Sequence, residues 1–142
     1  MQVEIVTQAD DQLWLAFQNL IPQLTTNNPP PSLDHLTALV RDSASTLMVA
    51  RNEEDKIIGA LTLAVYRVPT GIRAVIEDVV VDSSVREKGV GEALMKKAIS
   101  VARKKRAGSI SLTSNPGREA ANKLYQRMGF IKRETNAYQL KL

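Results

Sequence analysis

The stretch that most constrains this chain runs from Glu77 to Leu94. An apolar strand ends in Val79-Val80-Val81, a short polar loop follows, and a helix opens on Gly89 and Gly91. A strand end that is apolar on both faces belongs inside a sheet covered by helices. The helix predicted over Gly89 to Arg106 puts Val90, Ala93, Leu94, Ala98 and Val101 on one face and Glu92, Lys96, Ser100 and Arg103 on the other. Amide protons of a first helical turn lack intrahelical acceptors, and the helix dipole adds positive potential there. Gly89 and Gly91 clear side chains from that end, and Arg86 and Lys88 add charge on the approach. The pattern predicts a cradle for a phosphate or pyrophosphate.

Two common phosphate motifs do not fit. The triphosphate loop G-x-x-x-x-G-K-[ST] is absent from the chain. The dinucleotide fingerprint needs three glycines near the first strand, whereas here the loop lies in the second half and Ala93 stands nearest a third glycine.

The rest of the chain reads as alternating strands and helices. Val3 to Thr7 alternates as a first strand, and Leu13, Trp14, Phe17, Leu20 and Ile21 share a helical face with Thr7 or Asp10 as its cap. Thr25 to Pro31 holds three consecutive prolines and must be a loop. Ser32 then caps a helix carrying Leu33, Leu36, Leu39 and Val40. Leu47 to Ala50 and Ile57 to Tyr66 flank the polar turn Asn52 to Lys56 as a hairpin, and Ile72 to Val81 follows the turn at Pro69-Thr70-Gly71. Ser109 to Thr113 is a strand, Arg118 to Met128 a helix stopped by Gly129, and Phe130 to Lys132 and Tyr138 to Leu140 are two final strands. The order is β-α-α-β-β-β-α-β-α-β-β, one α+β domain over residues 1–142 with helices flanking a central sheet.

Composition narrows the function classes. A chain of 142 residues without cysteine has no disulfide, thiolate metal site or cysteine nucleophile. His35 is the only histidine and has no partner at metal spacing, so no metal is expected. The net charge of +4 favours anionic small molecules, while 4% aromatic residues argue against a base-stacking nucleic-acid platform. The run Arg103 to Arg106 is accounted for by the negative end of a helix dipole. No apolar run approaches the ~20 residues of a membrane span, and the N-terminus lacks the blocks of a signal peptide. A cytoplasmic protein with no membrane partner is expected.

Arg86-x-x-Gly89-x-Gly91 after an apolar strand resembles motif A of the GNAT acyltransferase superfamily, which holds the pyrophosphate of acetyl-CoA. Arg118-x-x-Ala121-Asn122-x-Leu124-Tyr125-x-x-x-Gly129-Phe130 resembles its motif B, in the right order and at the right separation. The resemblance covers essentially the whole chain. It implies a mostly antiparallel sheet whose fourth and fifth strands splay apart at the acetyl-CoA site. Val79, Val80 and Val81 would meet the pantetheine arm, and amides from Arg86, Glu87, Lys88, Gly89, Val90, Gly91 and Glu92 would hold the pyrophosphate. Asn115 and Asn122 would hydrogen-bond the cofactor, and Tyr125 matches the general acid. Many relatives have glycine where this chain has Glu87, and a carboxylate beside a pyrophosphate is unfavourable unless it points to solvent.

Acyl transfer to an amine also needs a base, because the acceptor arrives as ammonium. Glu77 or Asp78 is placed for this beside the splay; the two face opposite sides of a regular strand, and Glu77 is preferred for its reach. A backbone amide near Val79 would serve the oxyanion. Without cysteine the transfer is direct, in a ternary complex. The expected acceptor is a small-molecule primary amine, and the resemblance implies that the first two helices and the loop between them, Leu20 to Leu36, bind it. A peptide or protein amine, or acyl-CoA sensing without catalysis, are the alternatives. The apolar C-terminal strand offers a route to a homodimer.

Overall fold

Alternating residues at the N-terminus form β1 (Gln2–Ile5), which lies antiparallel to β2 (Ser45–Arg51) with Ile5 opposite Met48. β2 continues as a hairpin into β3 (Ile57–Val68), and β3 pairs antiparallel with β4 (Gly71–Val81). The hairpin turn is closed by Asn52, whose side-chain oxygen accepts from the amides of Glu54 and Lys56 at 3.0 and 2.9 Å. β5 (Ile110–Ser111) adds to β4 in parallel, giving the sheet order β1-β2-β3-β4-β5. This computed structural model describes residues 1–85 and 89–142, in two compact units, 1–112 and 113–142. Arg86, Glu87 and Lys88 lie outside the described residues.

Within the first unit the sheet is covered on both faces. α1 (Asp11–Leu24) begins where the Asp10 carboxylate accepts from the Leu13 amide at 2.9 Å. Pro22 removes one amide donor in its last turn, and the helix ends two residues later at Leu24. α2 (Leu33–Arg41) is capped by Ser32, which accepts from the His35 amide. Leu13, Phe17, Leu20, Ile21 and Leu36 of these helices bury with Leu47, Val49, Ala60 and Val80 on one face of the sheet. α3 (Val90–Lys104) covers the other face with Val90, Leu94, Met95, Ala98 and Val101 buried. Gly59 makes that layer tight: a Cβ there would stand 3.1 Å from the Val80 carbonyl oxygen, 3.2 Å from Leu94 Cδ1 and 3.2 Å from Val90 Cγ1.

The second unit holds a loop and α4 (Glu119–Arg127). The two final strands expected at Phe130–Lys132 and Tyr138–Leu140 are absent: residues 130–142 carry no helix or strand. Alternation marks which residues a strand would bury, but a strand also needs a ladder partner. This segment has none among the described residues, and Ile131, Tyr138, Leu140 and Leu142 are exposed. No described helix is long and apolar enough to cross a membrane.

Candidate active site

The β4 strand carries an irregularity at the expected site. Thr62 of β3 faces Glu77, but Ala60 faces Val80, so three steps on β4 match two on β3. Asp78 absorbs the extra residue with φ of +52°, a left-handed conformation that Asp tolerates better than most residues with a Cβ. The alternation expected for Glu77 and Asp78 is therefore broken by a bulge. Glu77 comes to the face shared by Val80 and Ala60, the face on which α1 and α2 pack. Both residues are exposed. Partial burial holds the Glu77 carboxyl above its ordinary 4.5, and the neighbouring Asp78 charge adds to the shift.

The expected separation of β4 from β5 is visible in the pairing. The ladder consists of Ala74 with Ile110 and Val75 with Ser111, and it extends no further. β4 continues without β5 through Val79, Val80 and Val81; Val80 is buried and its two neighbours are half-buried.

Beyond β4 the chain enters the loop toward α3. Asp82 is 4% exposed and its carboxylate is surrounded by donors: the Ser84 amide at 3.0 Å, the Ser84 hydroxyl at 2.9 Å and Asn19 Nδ2 at 3.1 Å. The backbone hydrogen bond from Ser84 leads in holding this carboxyl below its ordinary 3.8, against the opposing effect of burial. Gly89 caps α3 with φ of +96°, and among the described residues no atom lies within 4 Å of where a Cβ would stand. The first intrahelical bond runs from the Ala93 amide to the Gly89 carbonyl, at 2.9 Å, so the amides of Val90, Gly91 and Glu92 have no intrahelical acceptor. This end fits an anionic ligand: backbone donors, the positive end of a helix of 15 residues, and no side chain at its cap.

The second unit places Asn115, Asn122 and Tyr125 around the start and body of α4. Asn115 Oδ1 accepts from the Gly117 amide at 2.8 Å, and Asn122 Nδ2 donates to the carbonyls of Asn115 and Arg118, each at 2.9 Å. Both asparagines thus shape the loop that leads into the helix. Tyr125 is 5% exposed, and burial pushes its hydroxyl pKa above the ordinary 10, partly opposed by the charge of Arg118. Its position relative to Gly129 and Phe130 has a physical cause. Gly129 takes φ of +100°, its amide donates to the Gln126 carbonyl, and the Phe130 amide donates to the Tyr125 carbonyl at 2.9 Å. That paired closure ends α4 and brings the Phe130 ring edge-on to Tyr125, with centroids 6.1 Å apart.

Two features escaped the sequence reading. Asp82 carries no motif signal, because only the fold reveals that α1 reaches it. Ser114 Oγ is buried without a partner among the described residues. Among those residues no group of three or more His, Cys, Asp or Glu could hold a metal ion.

Comparison with known proteins accords with this geometry. The model of the acetyltransferase (GNAT) family matches residues 13–130, and the chain belongs to that family. It is thereby assigned to the acyltransferases, and acetyl-CoA is the family's general acyl donor. The chain is 30% identical over 132 residues to a mycothiol acetyltransferase of Renibacterium salmoninarum, covering 89% of this chain and 39% of that protein. It therefore spans about two fifths of that relative's length. Among solved structures, a Trypanosoma brucei acetyltransferase is 25% identical with a TM-score of 0.80, covering 99% of both chains. An aminoglycoside acetyltransferase from an uncultured soil metagenomic sample, solved with trehalose, shares the fold at a TM-score of 0.85. It is 20% identical, over 99% of this chain and 95% of that one.

Proposed function

We propose that this chain is a single N-acetyltransferase domain, residues 1–142, that moves acetyl from acetyl-CoA to a primary amine in a ternary complex. The observation that carries the reading is the start of α3. Val90, Gly91 and Glu92 present amides without intrahelical acceptors behind a left-handed Gly89, on the helix that follows a strand that has left its neighbour. The family match spans both units, which supports treating them as one domain.

In this reading the amides of Val90, Gly91 and Glu92 take the pyrophosphate, and Val79 to Val81 flank the pantetheine arm. Arg86, Glu87 and Lys88 belong to the same cradle by their motif positions. Asn115 and Asn122 are assigned hydrogen bonds to the cofactor by their motif positions. Bound acetyl-CoA supplies a thioester-activated acetyl group. Glu77 removes a proton from the ammonium, directly or through one water, and frees the lone pair that forms the new C–N bond. Tyr125 gives its proton to the sulfur as the C–S bond breaks, and the second proton that the nitrogen sheds as the amide forms restores the Tyr125 hydroxyl. A carboxyl held above its ordinary range and a phenol held in its protonated form support those two assignments.

The acceptor is a small-molecule amine. Glu77 stands on the face covered by α1 and α2. Two of the similar proteins carry names of small molecules, mycothiol and aminoglycoside. Such an enzyme draws on the cytoplasmic acetyl-CoA pool, and a homodimer through the C-terminal segment is supported by the exposed Tyr138, Leu140 and Leu142. Titrating acetyl-CoA in a calorimeter, then following thiol release over a panel of small amines and peptides, tests the reading. Sedimentation equilibrium tests the dimer.

A further inference from the structure

We propose that Asp82, together with Asn19 and Gln23 of α1, is a positioning residue for cofactor binding: it fixes the first half of the β4–α3 loop to α1. The inference rests on the acetyl-CoA reading above and adds to it a residue set outside both motifs.

The wiring is continuous. Asp82 is anchored through its own amide, which donates to the Ile58 carbonyl of β3 at 2.8 Å. Its carboxylate accepts from the Ser84 amide and hydroxyl, from Asn19 Nδ2 at 3.1 Å, and more loosely from Gln23 Nε2 at 3.5 Å. Gln23 Oε1 in turn accepts from the Ser83 amide at 2.8 Å, and the Val85 amide donates to the Asp82 carbonyl at 3.0 Å. The amides of Ser83, Ser84 and Val85 are therefore all engaged within the protein. None is left over for an anion, and the backbone from Asp82 to Val85 is held by these bonds.

This explains why a charged side chain is buried where no motif requires one. A buried carboxylate is strongly disfavoured unless its oxygens are satisfied. Here the compensation comes from both the loop and α1, so neither can shift without leaving acceptors unfilled. A loop held in one arrangement loses less conformational freedom when a ligand binds beside it. Asn19 and Gln23 are themselves exposed, so their contribution to the hydrophobic core is small.

The exposed partner makes the test clean. Gln23→Ala in the full chain should weaken acetyl-CoA binding about tenfold by calorimetry. At saturating acetyl-CoA kcat should fall less than about threefold, and Tm should move by no more than about 2 °C. Asp82→Asn should weaken binding further. The double variant Asn19→Asp with Asp82→Asn, which reverses donor and acceptor, should recover affinity to within about threefold of the original. Unchanged affinity in Gln23→Ala overturns the proposal, whether or not Asp82→Asn folds. A fall in Tm with affinity retained also overturns it, since that is a purely structural role. Failure of the unaltered protein to bind acetyl-CoA overturns the acetyltransferase reading and this inference together.

Discussion

Glu77 and Val80 share one face of β4 although they are three residues apart, because the bulge at Asp78 shifts the register between them. A regular strand would have turned one of them to the opposite face. The consequence is a glutamate on the face that α1 and α2 cover, with a strained aspartate beside it. The two acidic residues have different jobs in this arrangement, and substitution separates them. Glu77→Gln should lower kcat by about a hundredfold or more, the scale of a lost general base. Asp78→Gly should relieve the left-handed backbone, stabilise the fold by about 0.5–1 kcal/mol and leave most activity in place. Steady-state kinetics with urea denaturation checks both.

The pH dependence has a definite sign. Transfer needs Glu77 ionised and Tyr125 protonated, and both pKa values are raised. The acid limb of kcat/KM should lie above 4.5 and the alkaline limb above 10, with the acid limb lost in Glu77→Gln.

Stability runs the other way at Glu77. A raised carboxyl pKa favours the neutral form in the fold, so its stabilising contribution is present below pH 4.5 and lost as pH rises through the folded value. Glu77→Gln should therefore raise Tm at pH 7, by about 1 °C. Asp82 has the opposite sign: its contribution is present above 3.8 and lost as pH falls below it. Acid unfolding followed by circular dichroism should be less steep below pH 3.8 in Asp82→Asn.

At the head of α3, Gly91→Glu places a carboxylate among the amides assigned to the pyrophosphate. Acetyl-CoA affinity should drop about a hundredfold or more, by charge repulsion in a site built for an anion. Gly89→Ala meets no atom of the described residues within 4 Å but must adopt φ of +96°, so its cost of about 1–2 kcal/mol should appear in stability.

Tyr125 and Gly129 are linked through the closure of α4. Tyr125→Phe should reduce kcat about tenfold to a hundredfold with little change in acetyl-CoA affinity. Gly129→Ala strains the left-handed stop, and should lower Tm and kcat together by loosening the Phe130 contact on the Tyr125 ring. Thermal melts paired with kinetics of both variants distinguish lost chemistry from lost placement.

Periodicity and caps made much of the first unit legible. Of the two candidate caps Thr7 and Asp10, Asp10 starts α1; Ser32 caps α2 as expected, the Asn52 turn closes the hairpin, and Gly89 opens α3. These are short-range effects in which a residue acts on its own neighbours. The bulge at Asp78 was not legible, because it is a mismatch between two strands and no single strand encodes it. The Asp82 set was hidden for the same reason: Asn19 and Asp82 are 63 positions apart, and an Asn on a helix face looks like any solvated residue. The final strands fail in the reverse direction: Tyr138 and Leu140 alternate as a strand would, but no ladder forms beside them among the described residues.

Calorimetric titration of the purified chain with acetyl-CoA, followed by amine addition with thiol release monitored, tests the central claim most directly. Micromolar binding at one site, lost in Gly91→Glu, with thiol released on adding one class of amine, is the result expected of an acetyltransferase built on the α3 cradle. No heat of binding with the unaltered protein would contradict it.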